Sequence, residues 1–203
     1  MGMDVLEPGW NQPRPTVGDV REMCRRVELR RLSVPNDPFD RFLSAVRKKY
    51  DNGGAGIGVF DVGADPVFDW FASRNRLWED RLLDWLVLNP TIVEAFPELQ
   101  IPSELRGVNG FATFDQFLLD GTLANILYHG GAYSEATGDG RNEKQFALEV
   151  CDAMFGLRYG EIICSVNYSA WTPWFKGIAW DLTVLVFDKR FRKLWMLATT
   201  DTD

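Results

Sequence analysis

Three segments near the C-terminus, EIICSVNYS (161–169), WDLTVLVF (180–187) and RKLWMLAT (192–199), constrain the fold more than anything else in the chain. All three are rich in β-branched and aromatic residues, the composition of strands. The last two are separated by so few residues that a hairpin is expected, with DKRF (188–191) at its tip. If Asp188 faces Phe191, Val184 faces Trp195 and Leu182 faces Leu197 on one side, while Leu185 meets Leu194 and Thr183 meets Met196 on the other. Both faces are then apolar. Such a sheet must be covered twice, by helices or by a helix layer and a partner.

The preceding residues supply helices for that purpose. Val17, Val20, Cys24 and Val27 recur at helical spacing and predict a helix over 17–32. Its remaining positions hold Arg21, Arg25, Arg26, Arg30 and Arg31, read either as a solvated face or as a dock for an acidic partner. A second helix starts at Asp37-Pro38 and carries the stripe Phe39, Phe42, Leu43, Val46, Tyr50. DNGGAGIG (51–58) leaves that helix and leads into strand-like VFDV. It therefore reads as a flexible turn rather than a phosphate cradle, which leaves a strand and opens a helix.

From 66 to 98 the pattern is helical, with Trp78, Leu82, Trp85 and Leu86 opposed by Glu79, Asp80, Arg81 and Asp84; Asn89-Pro90 starts a short helix through Phe96. Residues 103–112 read as a loop. Thr113 is the expected cap of a helix over 114–129 whose later half is apolar nearly all round and hence buried. Asn142 caps the next, which Gly156 ends.

The expected fold class is α+β. An extended arm (1–15) precedes a single domain (16–203), in which N-terminal helical layers (16–156) pack on a C-terminal antiparallel sheet of three or more strands (157–203).

Function is less legible. His129, the only histidine, stands in YHGGAYSE (128–135). Its position at a helix end followed by two glycines suits a structural stop, with the imidazole near the negative end of the dipole. As a ligand-binding group it would act with Tyr133 and Glu135. Cys24, Cys151 and Cys164 fall on apolar stripes or among apolar strand residues, so a thiol nucleophile is not expected. One histidine and dispersed cysteines leave no usual zinc ligand set; Asp201 with Asp203, or Asp139 with Glu143, match no calcium loop. Glu161 and Asp181 would need to converge in space to act as a pair. The sequence holds neither a GxSxG element nor a Walker A loop. No catalytic residue, metal or cofactor is assigned, and an enzyme is not the favoured reading.

A second cluster has a different character. Trp171, Trp174 and Phe175, in SAWTPWFKGIAWD (169–181), form either a lid on the core or a contact surface. The hairpin tip nearby adds Lys189, Arg190 and Arg192 around Phe191. Net charge is −7 but uneven: residues 1–50 carry ten Lys/Arg against seven Asp/Glu, and the rest twelve against twenty-two. An acidic bulk disfavours nucleic acid and suits a basic partner.

No apolar run reaches the ~20 residues of a membrane span, no secretory signal is recognisable at the start, and an odd number of scattered cysteines suits the cytoplasm. Eight tryptophans exceed what a core of this size needs. The expectation is a non-catalytic protein-interaction module binding another, basic protein; a bacterial toxin-neutralising immunity protein is one instance. The alternative is an enzyme or small-molecule-binding protein with a pocket near His129 between helices and sheet.

Overall fold

A computed structural model describes residues 4–35, 37–105, 110–136 and 139–202. It contains six strands, β1 (Leu29–Leu32), β2 (Gly54–Val62), β3 (Ala112–Phe114), β4 (Ile162–Asn167), β5 (Leu182–Asp188) and β6 (Lys193–Thr200). They form one sheet in the order β1-β2-β6-β5-β4-β3, every neighbouring pair antiparallel. The helices are α1 (Val17–Arg26), α2 (Phe39–Lys49), α3 (Pro66–Ser73), α4 (Leu82–Leu86), α5 (Pro90–Ala95), α6 (Leu119–His129) and α7 (Arg141–Phe155).

The two apolar faces of the sheet are both covered by helices. Phe60, Leu185, Phe187, Leu194 and Met196 pack with α1, α3, α4 and α5. Val59, Val184, Val186, Trp195 and Leu197 pack with α2, α6 and α7. The architecture is thus α+β in three layers, as the apolar strands require.

The hairpin register differs from the expectation by two residues. Val184 pairs with Leu197 and Val186 with Trp195, because four residues, 189–192, lie outside the ladder and the first pair is Asp188–Lys193. The buried Asp188 accepts hydrogen bonds from the Arg190 and Phe191 amides and so builds the longer loop. A two-residue slip keeps every side chain on its face, so the core assignment is unaffected.

Two strands come from stretches read otherwise. α1 stops at Arg26, and 29–32 form β1, held against β2 by the Arg30–Asp61 pair at 2.7 Å. Thr113 is not a cap but lies in β3; Asp115 caps the turn before α6 instead. Gly140, not Asn142, caps α7, while Gly156 ends it at φ 60° as expected.

The glycines of 54–58 are inside β2. Gly54, Gly56 and Gly58 share one face and leave a shallow track filled by aromatic rings: a Cβ on Gly58 would lie 3.0 Å from Phe96, and one on Gly54 3.2 Å from Trp174. β-propensity argues against glycine in a strand, but close approach of another group argues for it.

The predicted Trp78–Leu86 helix is broken. Asp80 and Arg81 have φ of 50° and 57°, so Trp78 turns outward, while the expected surface residue Asp84 is buried against Arg81 and the Phe111 amide. The arm lies along α3 and the turn after it: Gln12 carbonyl accepts from the Trp70 indole, Gly9 carbonyl from Arg74, and Arg14 pairs with Asp80.

Candidate functional site

His129 is the last residue of α6. The helix ends there because Gly130 takes φ 65° while its amide still bonds the Ile126 carbonyl. Gly131 has no room for a side chain: the buried Asp201 carboxylate occupies that space and accepts from the Ala132 and Asn52 amides at 2.8 and 3.0 Å. Ser134 then donates to the Lys49 carbonyl at 2.6 Å. The two glycines therefore fold the chain back onto α2 and the end of β6, leaving the His129 imidazole exposed with its ring edge to Tyr128 at 5.0 Å.

This places His129 on the wall of a cleft of about 540 Å³. One wall is the stripe Thr122, Asn125, His129 of α6; the other is Tyr168, Ala179 and Trp180; Tyr50, Leu182 and Thr199 lie at the floor. α6 is therefore not buried all round: Asn125 and His129 reach solvent. The second wall is positioned by the buried Asp181, whose carboxylate accepts from the amides of Lys176, Gly177 and Ile178 and from the Thr200 hydroxyl.

Among the described residues no Asp, Glu, Lys or Arg lines the cleft. Burial pushes the Tyr50 phenol up to about 12, so it stays neutral; the Thr199 hydroxyl offsets a little of that shift without forming a well-aligned hydrogen bond. The rim is apolar and open. Leu118 is 58% exposed and Tyr168 56%; Phe117, the chain neighbour of Leu118, is not in the lining and stacks on Tyr159 at 5.5 Å. Tyr133 and Glu135, expected beside His129, are exposed but do not line the cleft.

No protein-family model and no curated protein matches this chain.

The aromatic and basic residues expected at an interaction surface are largely turned inward. Trp171 and Phe175 are buried, the Trp171 indole donating to the Thr183 hydroxyl at 2.8 Å, and Trp174 is half-buried over Gly54. Lys189 is buried and donates to Asn75. Arg190 makes two bonds of 2.6 Å to Glu161 and thereby holds that carboxyl below its usual range. Arg192 bonds the Val62 and Gly63 carbonyls and Asp69. The basic tip is a brace between elements. Its partners are distant in sequence, so local composition cannot reveal them.

The other candidate chemistries separate in space or are already satisfied. Glu161 and Asp181 stand at opposite ends of the β4–β5 ladder, roughly 20 Å apart for six residues of strand. Both oxygens of Asp201 accept amides, and Asp139 accepts the Arg141 amide. Among the described residues no three His, Cys, Asp or Glu side chains group to hold a metal, and no helix is long and apolar enough to cross a membrane.

Burial raises all three thiols, Cys24 and Cys164 to about 12 and Cys151 further, so thiolate is scarce at neutral pH. A thiol-reactive aromatic disulfide is therefore expected to leave the native protein almost unlabelled and to react with all three cysteines after denaturation. Fast labelling of the native protein would contradict this burial.

The residues that sequence reasoning missed are Leu118, Phe117 and Tyr168. None of them belongs to the apolar later half of α6: Phe117 and Leu118 precede the helix and Tyr168 follows β4, so that pattern gave no signal for them.

Proposed function

We propose that the protein is a non-catalytic interaction module whose contact surface is the rim of the His129 cleft. One observation carries the reading: Leu118 and Tyr168, two large side chains each more than half exposed, line the mouth of the cleft. Exposed apolar patches that adjoin a concavity are where partners bind, and buried aromatic anchors dominate such contacts. Among the described residues His129 has no carboxylate beside it in the cleft lining, which disfavours its use as an oriented catalytic base. The net charge of −7 favours a basic partner, steering encounter over distance while the cleft receives an apolar anchor. A toxin-neutralising immunity protein is one instance of this class.

The test is affinity co-purification from the native host with wild-type protein and with Leu118→Glu/Tyr168→Glu. Wild type is expected to retain a basic partner in stoichiometric amount, and the double variant to lose it while unfolding at the wild-type midpoint. Retention of the same partner by both, or of none by either, would refute the reading.

A second reading, a small-molecule binder, is favoured by the cleft volume and by Thr122, Asn125 and His129 sharing one helix face within it. It predicts a bound small molecule in native mass spectra that is lost in His129→Ala, with the fold intact. Indifference of any such ligand to His129→Ala would remove the imidazole from the site.

A further inference from the structure

A second concave surface lies on the opposite face of the sheet, where α1 packs beside α4 and α5. Arg21 and Arg25 are one turn apart on α1, so they leave the helix on one side about 6 Å apart. They flank a groove of about 380 Å³ whose other walls include Trp85, Leu88, Pro90 and Ser103. Two neighbouring arginines are already paired: Arg26 with Asp65 and Arg30 with Asp61, both at 2.7 Å.

Arg21 and Arg25 differ from these. Among the described residues no carboxylate pairs with either of them, in a chain holding twenty-nine Asp and Glu. The Arg21 guanidinium instead rests 5.2 Å from the Trp85 ring centroid. That contact holds the cation at the groove while its N–H edges remain available to an acceptor.

We propose that this groove binds an acidic segment of a partner protein. Two of its carboxylates would pair with Arg21 and Arg25, and a neighbouring apolar side chain would lie on Trp85 and Leu88. The spacing suits carboxylates one turn apart on a helix or two residues apart on a strand, roughly 6–7 Å. An inorganic anion would engage the guanidinium groups but leave the Trp85–Leu88–Pro90 wall uncovered, so a segment with both characters fits better. The groove is independent of the cleft, since it lies on the other face of the sheet and shares none of its lining residues.

The experiment is fluorescence anisotropy with a fluorescein-labelled peptide of repeated Glu-Leu-Glu-Glu units, titrated with the full chain. Wild type is expected to bind it, less so at high salt, and Arg21→Gln/Arg25→Gln to bind roughly tenfold more weakly. Arg141→Gln/Lys176→Gln, which changes net charge equally at exposed sites elsewhere, is expected to retain most of the affinity. Leu118→Glu/Tyr168→Glu is also expected to bind the peptide, which separates this site from the proposed contact surface. The proposal is overturned if wild type fails to bind, if the two charge-matched double variants weaken binding equally, or if the peptide with Gln for Glu binds as well. Binding of inorganic phosphate without binding of the peptide also overturns it.

Discussion

Asp181→Ala is expected to lower the unfolding free energy by about 3 kcal/mol and to disorganise one wall of the cleft. The side chain is 1% exposed and accepts four hydrogen bonds: three from the successive amides of Lys176, Gly177 and Ile178, and one from the Thr200 hydroxyl at 2.5 Å. Hydrogen bonds to an ionised acceptor contribute roughly 1.5–3 kcal/mol each, but the full sum will not be lost. Lys176 and Gly177 are exposed, so their amides can return to water; Thr200 is buried and cannot. Asp181→Asn keeps one acceptor oxygen and should lose about half as much. Urea denaturation of the two variants checks the order. The functional consequence follows because Ala179 and Trp180 lie between those amides and Asp181, so binding at the cleft should fall with stability. A wild-type midpoint for Asp181→Ala would mean that the carboxylate does not organise this loop.

The second large effect concerns the glycine track. Gly58→Val is expected to cost about 3 kcal/mol, since even a Cβ there would lie 3.0 Å from the Phe96 ring and 3.2 Å from Phe60. Valine is the better strand former by up to ~1 kcal/mol, and overpacking outweighs that gain. Phe96→Ala alone should cost about 4 kcal/mol through the cavity it leaves. In the double variant the valine occupies part of the vacated space, so the combined loss should fall short of the sum by more than about 1 kcal/mol. Strict additivity in that cycle would place the Phe96 ring elsewhere.

These two effects mark the boundary of what local sequence can show. The helix stops at Gly130 and Gly156 and the three C-terminal strands were legible because their signals are the residues themselves: glycine at positive φ, and β-branched runs of strand length. β1 and β3 were not, because an edge strand of three or four residues is specified by its neighbour; Arg30 needs Asp61, and Thr113 needs Ser165 opposite it. The candidate site divides in the same way. His129 was identifiable as a singular residue at a helix end, but Trp180, Tyr168 and Leu118 join it only through tertiary packing. Lys189, Arg190 and Arg192 looked available because their partners Asn75, Glu161 and Gly63 lie 114, 29 and 129 residues away.

The residues alone required a sheet apolar on both faces, and hence an α+β domain whose sheet is covered twice, because water exclusion acts on every apolar strand position; that helices supply both covers was settled by packing. Tertiary structure alone decided the hairpin register, the burial of the glycine track, and which cations remain unpaired. Each of those outcomes is a competition among distant partners: Asp201 meets Asn52 across 149 residues, and Asp181 meets Thr200 across 19. Only the assembled fold could leave Phe117, Leu118 and Tyr168 exposed while turning Trp171 inward, since which aromatic is covered depends on the area of sheet available to cover it.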